Sequence, residues 1–205
     1  MSSITDPEYL PVMESFYTIQ GEGFFSGTPA YFIRLGGCDV GCVWCDVKES
    51  WDASKFEWLQ VDRIVKEAKE SGTQLVVVTG GEPLMYDLSE LTKALKAAGL
   101  QTNIETSGAY PLSGQWDWIC FSPKKFKAPL QEFYTKSHEL KVIAFNKSDF
   151  KWAEDHGAKM HDNSQLFLQP EWSKEKEMTP LVVDFVKSNP KWKISLQTHK
   201  YMDIP

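Results

Sequence analysis

Strand-length apolar runs alternate along this chain with amphipathic stretches of helical length, and turn residues separate the two. Such alternation is typical of βα units, in which a helix connects two parallel strands. The pattern predicts strands over residues 31–35, 75–79, 101–105, 118–121, 139–144, 165–168 and 193–197. It predicts helices over residues 61–70, 88–98, 147–156 and 174–188.

This set of elements favours an α/β fold with fewer helices than strands. Only some strand pairs leave room for a full helix, and the segment 107–116 does not. A complete eight-fold barrel usually needs more chain than 205 residues. We therefore predict a parallel-rich curved sheet that forms a partial (β/α) barrel. No repeat, low-complexity tract or linker divides the sequence, so residues 1–205 are predicted to form a single domain.

Composition limits the class of protein. The chain is 42% hydrophobic and has a formal net charge of −6, which argues against a general nucleic-acid-binding surface. No apolar run is long enough to span a bilayer, and residues 1–6 are too short and polar for a secretory leader. The four cysteines, grouped three plus one, do not resemble a secreted disulfide framework, which favours a reducing cytoplasm.

Three cysteines, Cys38, Cys42 and Cys45, lie within eight residues, and Cys120 is distant. Three thiolates can hold three irons of a four-iron cluster and leave the fourth iron open to a ligand. A closed zinc site usually needs four ligands, and a redox pair would leave Cys38 unexplained. The spacing therefore favours an iron–sulfur cluster over zinc or inert thiols, and Cys120 is predicted to be a small buried residue.

Polar and glycine-containing motifs follow the predicted strands, where active sites of parallel sheets gather. Each motif alone is also typical of a turn, so it is their recurrence at successive strand ends that indicates a site. The motifs begin at Thr79 (Thr-Gly-Gly-Glu-Pro), Glu105 (Glu-Thr-Ser-Gly) and Ser122 (Ser-Pro-Lys), with Thr-Ile-Gln-Gly-Glu-Gly from Thr18 and Gln-Thr-His-Lys from Gln197.

Arg34 is one of only two arginines and lies in an apolar strand-like run that leads into the cysteine loop. An unpaired buried guanidinium is costly, so an anionic partner is expected. That partner is either a structural carboxylate of the protein or the carboxylate of a substrate.

Taken together, these motifs resemble the radical S-adenosylmethionine enzymes, and more closely the 7-carboxy-7-deazaguanine synthase family. The Cys-x3-Cys-x2-Cys and Gly-Gly-Glu-Pro motifs are shared by the wider class. The segments 16–23 and 197–205 are far more specific to the family. The resemblance covers nearly the whole chain and implies the radical S-adenosylmethionine type of partial barrel.

The resemblance implies roles for individual residues. The ligands of a [4Fe-4S] cluster would be Cys38, Cys42 and Cys45. The S-adenosylmethionine site would be formed by Trp44, Cys45, Asp46, Gly81, Glu82, Glu105, Ser122, Pro123, Lys124 and Gln169. The substrate, 6-carboxy-5,6,7,8-tetrahydropterin, would be bound by Ile19, Gln20, Gly21, Arg34, Thr79 and Pro205. Beyond the cluster and its cofactor, no further catalytic residue is implied.

The implied reaction is a radical ring contraction to 7-carboxy-7-deazaguanine with loss of ammonia. An electron donor such as flavodoxin or ferredoxin, and a homodimer, are also implied, with no nucleic-acid or membrane partner. The family pattern includes a Mg²⁺ site with a hydroxyl ligand where this chain has Val47, which has no oxygen to offer. We therefore expect a weaker dependence on Mg²⁺.

Two other functions compete with this interpretation. A glycyl-radical activating enzyme would share the cysteine spacing, but it would not explain the Gln20 and C-terminal motifs. A non-catalytic zinc module would combine the three cysteines with a histidine such as His199.

Overall fold

The computed structural model describes residues 6–205. Residues 1–5, which the leader and single-domain predictions include, lie outside the described range. Its nine strands form one sheet in the order β3-β1-β2-β4-β5-β6-β7-β8-β9. The strands are β1 (Tyr9–Ile19), β2 (Pro29–Leu35), β3 (Glu57–Gln60), β4 (Leu75–Gly80), β5 (Gln101–Thr106), β6 (Trp118–Phe121), β7 (Glu139–Ala144), β8 (Gln165–Pro170) and β9 (Trp192–Ile194).

Six α-helices accompany the strands within the described range. They are α1 (Val61–Glu70), α2 (Ser89–Ala97), α3 (Phe133–Lys136), α4 (Ser148–Gly157), α5 (Glu175–Ser188) and α6 (Thr198–Met202). Short 3-10 turns cover Lys48–Trp51, Ala53–Lys55, Pro83–Met85 and Trp172–Lys174. None of the helices in this part of the chain is long and apolar enough to cross a membrane.

The sheet is parallel from β2 to β9, and only β1 pairs antiparallel, with β2 on one side and β3 on the other. The predicted α/β class, the parallel-rich sheet and the excess of strands over helices are confirmed. No helix lies between β5 and β6, as the short segment 107–116 predicted.

Three strands differ from the prediction. The strands β1 and β3 were missed, because Pro11 and the polar pair Glu14 and Ser15 break the expected alternation in β1. A register shift between Val12 and Glu14 accommodates that irregularity. The last strand was predicted over 193–197 but ends at Ile194, and the polar side chains that follow donate to Gln169 of β8 and to Glu22.

Alternation along the parallel strands separates the core from the interior of the partial barrel. In β7, Leu140, Val142 and Ala144 belong to the main hydrophobic core, whereas Lys141 and Ile143 face the interior cavity. This two-residue period follows from the pleat of a strand, which sends successive side chains to opposite faces. The helices cover the apolar face, and the interior face is left to carry polar chemistry.

Candidate active site

A cavity of about 260 Å³ opens at the carboxyl ends of the parallel strands. Its wall is built from strand-end side chains of β2, β4, β5, β7 and β8, together with the loops that follow these strands. Residues from both ends of the chain, Phe16 and Pro205 among them, complete it. The cavity therefore lies where the strand-end motifs predicted an active site.

Every predicted site residue except Pro123 lines this cavity. The lining set includes the predicted cluster ligands Cys38, Cys42 and Cys45, the predicted cofactor residues Trp44, Asp46, Gly81, Glu82, Glu105, Ser122, Lys124 and Gln169, and the predicted substrate residues Ile19, Gln20, Gly21, Arg34, Thr79 and Pro205. Pro123 is buried behind the wall. The structure thus brings the predicted site residues together in one cavity. Their roles in binding a cluster, cofactor or substrate stay predictions.

The loop after β2 carries the cysteines, and the loop after β4 holds it by close backbone contact. The amide of Gly81 donates to the Leu35 carbonyl (2.9 Å), and that of Glu82 to the Gly37 carbonyl (2.8 Å). A Cβ on Gly81 would lie 2.2 Å from the Gly37 oxygen and 2.8 Å from the Cys38 Cβ. Glycine at position 81 is thus required by the contact between the two loops, beside any approach to a ligand.

All four thiols are free in the structure; Cys42 and Cys120 are buried, whereas Cys38 and Cys45 are half-buried. Burial raises the pKa of Cys38, and burial with the neighbouring thiols raises that of Cys42 to about 11, although Lys124 acts against it. A metal cluster that binds here must therefore displace protons. Burial also raises the pKa of Cys120, which lies on β6 and donates weakly to Glu139 (3.6 Å).

Within residues 6–205, no three His, Cys, Asp or Glu side chains converge on a point that could hold a single metal ion. A zinc site of Cys38, Cys42, Cys45 and His199 would require such convergence, so the zinc-module alternative is not supported. A four-iron cluster differs, because each thiolate binds its own iron atom and the sulfur atoms stay apart. The three thiols on one cavity wall fit that group.

Glu82 fixes the end of β5 beneath the cysteine loop. Its buried carboxylate accepts from the Leu84 amide (3.1 Å), the Thr106 hydroxyl (2.6 Å), and both the amide (2.8 Å) and hydroxyl (2.5 Å) of Ser107. These donors account for the four acceptor positions of a carboxylate. A contact of Glu82 with bound S-adenosylmethionine, as predicted, would have to share an oxygen that already has donors.

Lys124 lies in the cavity wall beneath the cysteine loop. Its ammonium donates to the Ser122 hydroxyl (2.5 Å) and carbonyl (2.8 Å), and it lies 5.7 Å from the centre of the Trp44 ring. Burial lowers its pKa, although the nearby Cys42 thiol opposes that change. A half-buried ammonium near Cys42 suits a site that binds anionic sulfur and carboxylate groups.

A buried ion-pair network forms the floor of the cavity. Gln20 Nε2 donates to Glu105 Oε1 (3.0 Å), and the Lys141 ammonium lies 3.5 Å from Glu105 Oε2. Lys141 also donates in a short contact to Glu22, whose other oxygen accepts from Gln197 Nε2 (2.8 Å). Burial alone would raise the pKa of Glu22, but Lys141 and Gln197 hold it at about 2.

The C-terminal motif packs directly on the N-terminal one. The Gly21 carbonyl accepts from both the amide (3.0 Å) and the hydroxyl (2.9 Å) of Thr198. The His199 ring occupies the space where a Cβ on Gly21 would lie, 2.2 Å from Nδ1. The Thr18 hydroxyl donates to the Pro205 oxygen (3.2 Å), so the two motifs form one wall of the cavity.

One of the two partners predicted for Arg34 is present in the structure. The Arg34 Nε donates to Glu14 Oε1 (2.6 Å), so the structural ion pair exists. The residue also lines the cavity beside Thr79, its neighbour across the β2–β4 ladder. Among the contacts of the described residues, its two terminal nitrogens have no protein partner, which leaves them available to a ligand carboxylate.

Sequence reasoning missed Lys141 as part of the site, and it included Glu22 and Gln197 in the recurring motifs without giving either a role. One signal was present for Lys141: a lysine in the middle of the apolar strand β7, where a charge needs a buried partner. Its partners lie on distant segments, which no local pattern reveals.

Comparisons with known proteins agree with this geometry. A sequence model of the Radical SAM superfamily matches residues 32–120, the part that carries the cysteine loop and the strands β4 to β6. The chain is 61% identical to the 7-carboxy-7-deazaguanine synthase of Flavobacterium psychrophilum, over 97% of this chain and 94% of that protein. It is 46% identical to the same enzyme of Synechocystis sp., over 95% and 93%.

A solved structure, the crystal structure of QueE from Escherichia coli, superimposes with a TM-score of 0.80 at 29% identity and covers 92% of this chain and 93% of that one. The partial barrel and its three-cysteine loop define the radical S-adenosylmethionine class. Within that class, the chain belongs to the 7-carboxy-7-deazaguanine synthase family.

Proposed function

We propose that this chain converts 6-carboxy-5,6,7,8-tetrahydropterin to 7-carboxy-7-deazaguanine with loss of ammonia. The observation that carries the proposal is the meeting of both chain-end motifs with the cysteine loop in one cavity. The competing function, activation of a glycyl radical on another protein, does not account for a closed polar floor of small-molecule size.

Residues on opposite walls suit opposite edges of a carboxylated pterin. On one side, Arg34 offers its terminal nitrogens to the carboxylate. The stacked rings of Phe16 and Phe32 (5.4 Å between centroids) give an apolar surface for the ring system. On the other side, carboxylate and amide groups of Glu105 and Gln20 can pair with N–H groups of the pyrimidine ring.

The bound cluster and S-adenosylmethionine supply hydrogen-atom abstraction from a carbon that side chains cannot activate. The protein residues bind and orient the two small molecules. Half-buried Lys124 and the saturated Glu82 keep the cofactor end of the cavity rigid. The network on Lys141 fixes the position of Glu22 and Glu105 on the substrate side. Such preorganisation supports a geometry in which the reacting atoms of the two small molecules can meet.

The direct test is an anaerobic assay of the reconstituted protein with S-adenosylmethionine, a reductant and 6-carboxy-5,6,7,8-tetrahydropterin. We expect 7-carboxy-7-deazaguanine by liquid chromatography and mass spectrometry, and none from the Cys42→Ala variant. Cleavage of S-adenosylmethionine that no pterin accelerates would show that the class is right and the substrate is wrong. A reconstituted protein without cluster iron would refute both.

We propose further that Mg²⁺ acts weakly here, or through water and substrate oxygens. Val47 lines the cavity without an oxygen ligand, and the adjacent Asp46 already accepts from the Lys200 ammonium (3.0 Å). Because Mg²⁺ requires hard oxygen ligands, this wall binds it poorly. Chelated enzyme should keep most of its turnover, and Val47→Thr should gain a larger response to added Mg²⁺. Complete loss on chelation, with full return on adding Mg²⁺, would contradict the proposal.

The remaining expectations belong to the same proposal. We propose an electron-transfer protein such as flavodoxin or ferredoxin as the reductant, a homodimer, a single domain over residues 1–205, and a cytoplasmic location. The free thiols suit a reducing compartment, and one sheet running from β1 to β9 suits a single domain. Light scattering on the purified protein tests the dimer.

A further inference from the structure

The cysteine loop depends on side chains from other loops for its position. It lies outside the strands and helices, and Cys38 and Cys45 have backbone hydrogen bonds to Trp51 (3.1 Å) and Cys42 (3.2 Å). Two acidic side chains at its ends make the longer-range polar contacts. Asp46, after the last cysteine, pairs with Lys200 on the cavity side.

Asp39, directly after the first cysteine, is held on the side away from the cavity. Both of its oxygens lie near the Lys127 ammonium (2.7 and 2.9 Å), and one also accepts from the Tyr110 hydroxyl (2.5 Å). Lys127 donates to Tyr110 as well (2.8 Å) and lies 4.0 Å from the centre of its ring. The three side chains form a closed triangle, which we call the Asp39 clasp.

The clasp joins three loops that are far apart in sequence. Lys127 lies 88 residues from Asp39, in the loop after β6, and Tyr110 lies in the loop after β5. The same β6 loop supports the cysteine loop a second time, because Phe126 packs edge-on against Trp44 (6.3 Å). The loop after β6 therefore contacts the cysteine loop at two places, through Lys127 and through Phe126.

We propose, resting on the iron–sulfur cluster of the proposed function, that the Asp39 clasp positions Cys38 and neutralises the negative charge beside the cluster. Asp39 follows a cluster ligand in sequence, and Lys127 is the cation that pairs with it. Local net charge and solvent exposure set the reduction potential of such clusters. Without Lys127, the carboxylate would add negative charge next to the cluster and disfavour its reduction.

The clasp is partly exposed, with 51% of the Asp39 side chain and 32% of the Lys127 side chain accessible. Exposed ion pairs contribute little to stability, so variants of the clasp should fold. This separates its effect on the cluster from an effect on the fold. The role is one of positioning and charge compensation, and it requires no contact with substrate.

The test compares the reconstituted wild type with Lys127→Met, Lys127→Arg and the double variant Asp39→Asn/Lys127→Met. Lys151→Met serves as a control, because Lys151 also pairs with an aspartate on the surface, Asp155 (2.7 Å), away from the cysteine loop. The readouts are iron and sulfide content, the midpoint potential of the cluster, and the rate of cluster loss in air. Urea unfolding of each apoprotein checks the fold.

We expect Lys127→Met to shift the midpoint potential to a more negative value and to lose its cluster about two- to fivefold faster in air. Lys127→Arg should stay near the wild type. The double variant should recover the potential, because the charge is removed, but keep the faster loss, because the tether is absent. Equal potentials and equal loss rates in Lys127→Met and the wild type would overturn the proposal. A wild type that takes up no cluster would instead refute the proposed function.

Discussion

Replacing Lys141 with methionine should lower the free energy of unfolding by about 3–5 kcal/mol, because it leaves buried carboxylates without their cation. The Lys141 side chain is 4% exposed, and its two partners, Glu22 and Glu105, are 15% and 25% exposed. Methionine fills much of the same volume, so the main loss is electrostatic. Since about 1.4 kcal/mol is a tenfold change, the folded-to-unfolded ratio should fall by roughly 10²- to 10⁴-fold.

The effect should depend on pH in a defined direction. In the wild type, Lys141 outweighs burial and holds the pKa of Glu22 at about 2, so this pair stabilises the fold above pH 4.5 and is lost as the pH falls toward 2. In the variant, burial is opposed by the effects of Gln197 and His199 without that of Lys141, so the pKa of Glu22 should rise. As the pH falls, protonation of Glu22 removes the unpaired buried charge of the variant. The difference in free energy of unfolding between the variant and the wild type should therefore shrink.

The assay is urea unfolding of the apoprotein followed by the fluorescence of its eight tryptophans, at several pH values from about 3 to about 8. Lys151→Met, at the exposed pair with Asp155, is the matched control and should change little. The double variant Lys141→Met/Glu22→Gln should recover part of the loss. A deficit below about 1 kcal/mol that does not vary with pH would refute the buried-network reasoning.

Two further predictions concern the substrate pocket and the core. Arg34→Lys should raise the KM for the carboxylated substrate by about 10- to 100-fold with kcat largely kept, because lysine keeps the charge but cannot form two parallel hydrogen bonds to a carboxylate. An unchanged KM would show that Arg34 does not bind the substrate. His156, buried against Tyr134 (2.9 Å) and Trp152 (4.0 Å between rings), has its pKa lowered to about 4, mainly by burial. Its neutral form stabilises the fold fully above pH 6.5, and about 3 kcal/mol should be lost as the pH falls to 4; His156→Gln should flatten that part of a pH–stability curve.

The fold was largely predictable because its core signals are local. The helix over 61–70 was placed with the observed bounds, since its apolar residues repeat with helical spacing. The strand β4 is a continuous apolar run, typical of a parallel strand buried on both faces. In contrast, β1 contains Pro11, which has no backbone N–H to donate and so argues against a strand at this position. Its pairing with β2 and β3, which no local pattern reveals, makes it a strand.

The candidate site was predictable in its residues but not in its contacts. Strand-end position brought Glu105, Arg34 and Gln169 to one rim, because parallel strands end at the same edge of a sheet. The partners of each group could not be predicted, since Glu22 and Lys141 are 119 residues apart and no periodicity links them. The saturation of Glu82 by the end of β5 was equally hidden, because its donors lie 24 and 25 residues farther along the chain.

The predicted cluster site depends mainly on a local sequence motif, whereas the predicted substrate site depends on long-range contacts. The cysteine loop is a short segment, and its spacing favours an iron–sulfur cluster without reference to any distant residue. The substrate wall exists only where Thr198 reaches the Gly21 carbonyl and Gln197 reaches Glu22, across 177 and 175 residues. Substrate specificity thus depends on the whole sheet, because one motif follows β1, next to the edge strand β3, and the other follows β9 at the opposite edge. A variant that loosens this junction should therefore retain the cluster and lose the pterin.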